Sequence, residues 1–137
     1  ADQGDHVFTY SLLPHEGTWV TANVTRQGLE LNHPVTSVLT DSHAGNLPSK
    51  QSFVQVQTKH AVLDTVKPSE DGEGMILRLY ESSGSREFID IDVNQSIASA
   101  HETNLLEAQE KVLTTTDQTI STTMTPFEIK TIKVLKR

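Results

Sequence analysis

A chain of 137 residues is the size of one domain and is long enough to bury a hydrophobic core. Its 18 acidic and 11 basic residues give a net charge of −7, which argues against nucleic acid and anionic membrane surfaces as partners. The sequence has no cysteine, so disulfides and thiolate sites are excluded and a reducing, cytoplasmic location is predicted.

The first element predicted in chain order is a strand over residues 5–14, DHVFTYSLLP. Phe8, Tyr10 and Leu12 share one side of its alternation, and Pro14 ends it. The opening ADQGDH has neither an initiator methionine nor the basic and apolar segments of a signal peptide, and no apolar run approaches the length of a membrane helix. We therefore expect a piece of a longer or processed protein, without a membrane segment.

A short helix and a loop are predicted next. Trp19, Ala22 and Arg26 fall at helical spacing within residues 19–31, although the β-branched residues between them weaken the helix propensity. Residues 34–50 are rich in Thr, Ser, Asp, Gly, Asn and Pro, a composition typical of a loop or linker. An internal seam is therefore predicted at 34–50.

The middle of the chain predicts strands joined by a hairpin. In SFVQVQTKHAVLDTVK, alternation around Phe53 is followed by an apolar run at 61–63, which favours burial on both faces. Pro68 ends this strand, and EDGEG supplies residues that tolerate positive φ, as a hairpin loop of more than two residues requires.

Two strands follow, over MILRLYES, where Met75, Leu77 and Leu79 alternate with Ile76, Arg78 and Tyr80, and over REFIDIDVN, which alternates cleanly. The residues predicted to face inward are Met75, Leu77, Leu79, Ile89, Ile91 and Val93. Phe88, Asp90 and Asp92 lie on the opposite face of the second strand, which is predicted to be half exposed.

The segment TNLLEAQEKVL is ambiguous. Leu105, Leu106, Gln109 and Leu113 make a helical stripe among good helix formers. The flanking text is rich in Thr and is typical of strands, so the residues alone leave helix and strand open.

The closing TPFEIKTIKVLKR is predicted to be a strand with a change of phase. Phe127 and Ile129 share one face, whereas Ile132 and Val134 fall on the other. A switch near Thr131 indicates a bulge or a change of packing partner.

Several short strands at regular spacing predict an all-β fold, an antiparallel β-sandwich with at most one short helix. The apolar positions of the alternating segments predict its core. These positions are Val62, Leu63, Met75, Leu77, Leu79, Ile89, Ile91, Phe127 and Ile129.

The search for catalytic and metal-binding motifs is negative. The six histidines are scattered singly among polar residues, without the close ligand spacing of zinc motifs. Asp90, Asp92 and Asn94 have the spacing of the first three ligands of an EF-hand loop, but Gln95 stands at the position where that loop needs glycine. These residues are therefore predicted to form the polar face of a strand and not a calcium site. Without a convincing carboxylate pair, a nucleophile motif or a phosphate loop, no catalytic residue and no metal ligand is assigned.

Five segments carry a family resemblance, in this order over nearly the whole chain: HVFTYSLLPHEGTW, LELNHPV, AVLDTVKPSEDGEGMILRLYES, TNLLE and TPFEIKTIKVLKR. They resemble the C-terminal portion of the glycoside hydrolase family 38 α-mannosidases. The resemblance implies a terminal β-sandwich that packs onto a much larger enzyme, with PFEIKT in its closing strand. It also favours a strand at TNLLE and supports the short helix.

For the full-length enzyme, the resemblance implies retaining, metal-dependent hydrolysis of terminal α-mannosides. It places zinc-type His and Asp ligands and a nucleophilic Asp on an N-terminal catalytic domain. None of those motifs matches a position in this sequence, so no catalytic residue is carried over and no cofactor is expected in this chain. Residues 1–137 are predicted to be a single non-catalytic C-terminal β-sandwich region, with the catalytic domain of the same polypeptide as partner and an α-mannoside as that domain's substrate.

Two alternatives stay open. One is the same region of a hydrolase that acts on a small mannoside such as mannosylglycerate, which a C-terminal region does not distinguish. The other is a stand-alone carbohydrate-binding module, although such modules display several rings for sugar stacking and aromatic content is only 5%. Titration with manno-oligosaccharides, followed by Trp19 fluorescence, separates such a module from a structural domain.

An excised domain exposes the surface that its parent buries, so a contact surface is also predicted. Its apolar members are residues after the phase switch near Thr131 and residues that flank Pro14. The polar turn after Pro14 is included, with plain solvent exposure as the simpler interpretation. The candidate interdomain contacts are Leu12, Leu13, His15, Glu16, Trp19, Ile132, Val134 and Leu135.

Overall fold

The computed structural model describes residues 3–137. The chain divides into two compact units, Ala1–His43 and Ala44–Arg137, termed the N-terminal unit and the sandwich unit. The division falls within residues 34–50, which form neither helix nor strand. Within the described residues, no helix is long and apolar enough to cross a bilayer.

The N-terminal unit contains one short helix, α1, at Val24–Asn32. Thr18 and Thr21 fix the turn before it, because each hydroxyl oxygen accepts a hydrogen bond from the other residue's backbone N–H, at 3.0 and 3.2 Å. An ion pair of 2.9 Å joins Arg26 and Glu30 one helical turn apart. The predicted short helix is confirmed, although it begins at Val24 and not near Trp19.

The strand predicted over residues 5–14 is absent. Among residues 3–43 the structure has no strand, and the apolar side chains of Val7, Phe8, Tyr10 and Leu12 are exposed. A strand requires a neighbour that accepts and donates its backbone hydrogen bonds, and the described part of this unit supplies none. Alternation alone therefore led to a wrong prediction.

The sandwich unit consists of two antiparallel sheets, which confirms the predicted β-sandwich. Its strands are β1 Val54–Val56, β2 Ala61–Pro68, β3 Gly74–Glu81, β4 Glu87–Val93, β5 Ile97–Thr103, β6 Gln109–Val112, β7 Thr114–Thr115, β8 Thr119–Met124 and β9 Ile129–Lys136. One sheet has the order β1-β4-β8-β7, and the other has the order β2-β3-β9-β5-β6.

The core lies between the two sheets, because alternate residues of their strands point inward. Leu113, between β6 and β7, is buried where the chain passes from the five-stranded to the four-stranded sheet. The largest fully buried side chains in the core cluster are Leu77, Leu79, Ile89, Ile91, Val93, Ile120, Met124, Ile132 and Val134.

The predicted core is confirmed for Met75, Leu77, Leu79, Ile89 and Ile91, all of which are buried. Two neighbouring residues of the list, Val62 and Leu63, are only partly buried.

The same prediction is wrong for two residues near the C-terminus. The side chains of Phe127 and Ile129 are 70% and 63% exposed. Phe127 lies in the turn before β9, and Ile129 is on β9 opposite Tyr80. Apolar residues on the outer face of a sheet follow the same alternation as those on the inner face, so the pattern did not separate them.

The switch near Thr131 is not a bulge in the pairing with β3. The register runs without a shift from Gly74↔Leu135 to Tyr80↔Ile129. Ile132 and Val134 occupy the inner face of a regular strand, which is central in its sheet because β3 and β5 flank it. The irregularity in the pairing of β9 with β5 lies between Ile97 and Ser99.

The segment TNLLE is neither helix nor strand at its centre but the turn between β5 and β6. The side-chain oxygen of Asn104 accepts hydrogen bonds from the backbone N–H groups of Leu106 and Ala108, at 2.9 and 3.1 Å. Glu107 has a φ of 66° and reaches the backbone N–H of Glu70 at 2.8 Å. Both predictions are wrong, because the asparagine side chain stabilises a turn in place of a regular element.

Replacing Leu77 with alanine is expected to lower the free energy of unfolding of the sandwich unit by about 2–5 kcal/mol, because this side chain is fully buried. Urea unfolding followed by circular dichroism measures the loss. Leu106→Ala, in the exposed β5–β6 turn, is the matched control and should cost less than about 0.5 kcal/mol. Equal losses from the two substitutions would show that the inner face of β3 is wrongly assigned.

Candidate functional site

The residues predicted as interdomain contacts divide between the two units. Leu12, Leu13, His15, Glu16 and Trp19 belong to the N-terminal unit, and all five are exposed or half-exposed. Their exposure leaves them accessible to a partner, and their role as contacts stays a prediction.

The other predicted contacts lie on β9, and two of them are wrong. Ile132 and Val134 are 0% exposed and belong to the core of the sandwich unit itself. A side chain that is already enclosed by its own domain has no surface left for a partner. Leu135 is partly buried, and its role as a contact stays a prediction.

Three loops meet at one end of the sandwich unit, and we term residues 57–60, 82–86 and 125–128 the loop end. His60 joins the first two loops, since its Nδ1 lies 2.7 Å from Ser83 Oγ. Its backbone oxygen accepts hydrogen bonds from the N–H of Ser82, at 2.8 Å, and from the hydroxyl of Ser82, at 3.0 Å.

Glu81, the last residue of β3, ties the second loop to the third. Its carboxylate accepts backbone hydrogen bonds from Ser83 and Gly84, each at 2.8 Å, and from Phe127, at 2.9 Å. The hydroxyls of Ser83 and Ser85 donate two more, at 2.5 and 3.0 Å. The residue is 2% exposed, so these donors take the place of water around a buried charge.

The pKa of Glu81 reflects this arrangement. Burial alone would raise the pKa, but the hydrogen bonds from Phe127 and Ser83 outweigh burial and hold it below its usual range. The carboxylate is therefore ionised at neutral pH. Because the loop donors occupy the carboxylate of Glu81, this residue is suited to holding the backbone of the loops in place and not to transferring protons.

Phe127 sits in unusual backbone geometry at the loop end. Its φ is 58°, a left-handed conformation that a bulky side chain rarely adopts. Its ring packs on the neighbouring loop, because a Cβ added at Gly84 would lie 3.0 Å from Phe127 Cζ. The carboxylate of Glu128 closes the turn by accepting the N–H of Thr125 at 2.7 Å.

Two buried lysines of β9 are held by carboxylates. Lys130 is 2.9 Å from Glu102 and 2.9 Å from Glu128, while Lys133 pairs with Asp71. Burial would lower the pKa of Lys130, but the carboxylates of Glu102 and Glu128 raise it overall, and Asp71 raises the pKa of Lys133. Both amines are therefore charged at neutral pH and serve as structural ion pairs.

The acidic residues of β4 form part of a polar ladder on the four-stranded sheet. Ser121 donates to Asp90 at 2.6 Å, and Thr119 and Gln57 donate to Asp92 at 2.9 and 3.1 Å. This is the polar strand face that alternation predicts. Across residues 3–137 no group of three or more His, Asp or Glu side chains is placed to hold a metal ion.

Residues 60–132 match the family described as the glycosyl hydrolases family 38 C-terminal beta sandwich domain. The chain belongs to glycoside hydrolase family 38. The match covers β2 to the middle of β9, and so includes four strands of the five-stranded sheet, the first half of β9 and the loops of residues 82–86 and 125–128. The resemblance predicted from the sequence is confirmed.

Relatives within this family extend the similarity over most of the chain. Human "Alpha-mannosidase 2C1" is 32% identical over 94% of the chain, and "Alpha-mannosidase G" of Dictyostelium discoideum is 30% identical over 98%. A bacterial relative from Halalkalibacterium halodurans, named "Putative mannosylglycerate hydrolase", is 28% identical over 95% of the chain. The chain spans 13–14% of the length of these relatives.

Sequence reasoning missed the loop end of this family 38 sandwich. The chemistry of Glu81 depends on donors from residues 83–85 and on Phe127, which is distant in sequence. A local signal did exist, because SSGS directly after a strand-ending glutamate offers short hydroxyls and a glycine that can fold back on the carboxylate. Phe127 gave no comparable signal, since PFEIK reads as an ordinary alternating strand.

Proposed function

We propose that this chain is the non-catalytic C-terminal region of an α-mannosidase. The observation that carries the proposal is the match of residues 60–132 to the C-terminal sandwich domain of family 38, within a similarity to proteins named α-mannosidases that covers at least 94% of the chain. The role of the chain is structural: it packs onto the catalytic domain of the same polypeptide.

The chemistry belongs to the part of the polypeptide outside this chain. We infer retaining, metal-dependent hydrolysis of terminal α-mannosides, with a zinc-type ion and a nucleophilic carboxylate on the catalytic domain. The buried charges of Glu81, Lys130 and Lys133 are engaged in holding loops and strands together, which supports a structural role for the sandwich unit. The proposal places the enzyme in the cytoplasm, since a cysteine-free chain needs no oxidising compartment to fold.

The proposal is tested with the full-length polypeptide and an aryl α-mannoside. We expect release of the aryl group, loss of activity after chelation and recovery after addition of zinc. Proton NMR of the first product formed should show the α-anomer of mannose, as retention requires. Release of the β-anomer, or activity that withstands complete metal removal, would contradict the inferred mechanism.

A second substrate class is supported by the relative named for mannosylglycerate. If the polypeptide resembles that protein in function, its kcat/KM for α-mannosylglycerate will exceed that for an aryl α-mannoside. The discrimination arises in the catalytic domain, because a pocket that binds the glycerate carboxylate strongly disfavours a substrate that lacks it. Measuring kcat/KM for both substrates decides between the two classes.

A further inference from the structure

The loop end presents an exposed aromatic ring from strained backbone. Phe127 combines a φ of 58° with a ring that is 70% exposed. Glycine at this position would avoid the strain, and a polar side chain would avoid exposing a ring to water. Folding alone therefore does not explain why this exposed position carries an aromatic residue.

The structure holds this ring in place from below. Phe127 N–H donates to the buried carboxylate of Glu81 at 2.9 Å, and the same carboxylate fixes the N–H of Gly84 at 2.8 Å. Gly84 itself has a φ of 76° and lies directly under the ring. The ring is thus pre-positioned, which lowers the entropy that a binding partner would have to remove.

The apolar surface continues from the ring onto the outer face of the five-stranded sheet. Ile129, two residues further along the chain, is 63% exposed. It pairs with Tyr80 on the neighbouring strand β3, and Tyr80 pairs in turn with Val62 on β2. These three neighbours form a strip across β9, β3 and β2. The exposed side chains of Phe127 and Ile129, with the half-buried Tyr80 and Val62 beside Ile129, make an apolar patch.

Two cations lie on loops of the loop end, the end of the sandwich unit that carries Phe127. Lys59 and Arg86 are exposed and form no ion pair with any residue in the described range 3–137. The buried lysines Lys130 and Lys133, by contrast, are both paired. In a chain with a net charge of −7, unpaired cations at the same end as an exposed apolar ring favour a partner surface that carries carboxylates.

We propose that the loop end docks onto the catalytic portion of the same polypeptide, with the Phe127 ring in an apolar pocket rimmed by carboxylates. The proposal rests on the proposed function, which makes this chain part of a larger enzyme. This chain matches only 13% of the length of the human and Dictyostelium relatives, so most of each relative lies outside the matched region. In a polypeptide built in the same way, the remaining part is a partner that is always present at high effective concentration. A buried aromatic anchor with a charged rim is the usual anatomy of such a contact.

Side-chain footprinting of the full-length polypeptide with hydroxyl radicals tests the proposal directly. Phe88, on β4, is the internal reference, because its side chain is 66% exposed and Phe127 is 70% exposed in the chain itself. We expect Phe127 to be labelled at least about fivefold more slowly than Phe88 in the native protein, and at the same rate in urea, since a docked ring is excluded from water. Equal labelling of the two rings in the native protein would overturn the proposal.

Other occupants give different results in the same experiment. Protection of Phe127 that disappears on dilution would assign the patch to a second copy of the chain. Protection that requires added manno-oligosaccharide would assign it to sugar. Either outcome overturns docking within one polypeptide.

Variants separate docking from a local role of the ring. Phe127→Gly relieves the backbone strain, so a purely local role predicts an unchanged or higher melting temperature of the full-length protein. Docking predicts that Phe127→Gly speeds hydrogen exchange at residues 80–86 and 127–129 more in the full-length protein than in the folded 137-residue chain, that Phe127→Tyr restores it, and that the control Phe88→Ser leaves those residues unchanged. A purely local role, through the packing of the ring on Gly84, predicts the same change in both proteins. An effect of equal size in the full-length protein and the 137-residue chain, or no effect in either, would overturn the proposal.

These readouts do not depend on activity, so the two proposals fail separately. A full-length protein in which Phe127 is protected from labelling but which hydrolyses no α-mannoside would contradict the proposed function alone. A protein with full α-mannosidase activity and a freely labelled Phe127 would sink the docking proposal alone.

Discussion

Replacing Val134 with aspartate is expected to unfold the sandwich unit. The side chain is 0% exposed and lies on the central strand β9, between β3 and β5, so a carboxylate there has neither water nor a cationic partner. An uncompensated buried charge costs about 3–5 kcal/mol, and the lost packing of the valine adds to it. Because domains of this size are stable by only about 5–15 kcal/mol, most of the stability would be removed.

The matched control is Val112→Asp on the edge strand β6, where the side chain is 69% exposed. This change should cost less than about 0.5 kcal/mol, since the new carboxylate stays in water. Far-UV circular dichroism and urea unfolding of both variants measure the difference. A folded Val134→Asp variant of near-normal stability would contradict the placement of Val134 in the core.

Replacing Glu81 with glutamine is the second change with a large expected effect. Glutamine keeps the shape of the side chain but has one acceptor oxygen for the five groups that donate to the Glu81 carboxylate. Its NH₂ group carries two donor hydrogens, which would face the remaining donors without an acceptor between them. Hydrogen bonds to a charged acceptor contribute about 1.5–3 kcal/mol each, so the loss of even one or two destabilises the loop end substantially. We expect a loss of about 3 kcal/mol in the free energy of unfolding at neutral pH.

The effect of Glu81→Gln should depend on pH in a defined direction. The pKa of Glu81 is lowered in the native state from its ordinary value of 4.5, so the native protein keeps the charge where the unfolded chain takes up a proton. The stability from Glu81 is therefore fully present above pH 4.5 and is lost progressively as the pH falls below that value. Glutamine does not titrate, so the gap between wild type and variant should narrow below pH 4.5.

Unfolding at a series of pH values measures this gap. Glu110→Gln on the exposed edge strand β6 serves as the control and should leave stability nearly unchanged at every pH. A gap that stays constant down to low pH, or that widens, would show that the charge of Glu81 is not what stabilises the loop end.

Local alternation predicted the parts of the sandwich in which one strand face meets the core. Leu77 on β3 and Ile91 on β4 were placed correctly, because Arg78 beside the first and Asp90 and Asp92 beside the second mark the outer face. The same rule failed for residues 5–14 and for Ile129. In the first case the described unit supplies no pairing strand, and in the second the apolar residue lies on the outer face of its sheet.

The loop end could not be predicted from local pattern. The contact between Glu81 and Phe127 joins residues that are 46 positions apart, and only the antiparallel pairing of β3 with β9 brings them together. The positive φ of Phe127 is imposed by that tertiary contact and runs against the local preference of phenylalanine. The fold class was therefore readable from sequence, whereas the surface proposed to bind the catalytic portion was not.

The central claim is that this chain supports an α-mannosidase without performing its chemistry. The most direct test compares the hydrolysis of an aryl α-mannoside by equimolar amounts of the full-length polypeptide and of the 137-residue chain. Both proteins are first shown to be folded by circular dichroism and are assayed in the presence of zinc. We predict turnover by the full-length polypeptide and none by the chain. Turnover by the isolated chain, or a folded and metal-loaded full-length polypeptide that hydrolyses no α-mannoside, would contradict the claim.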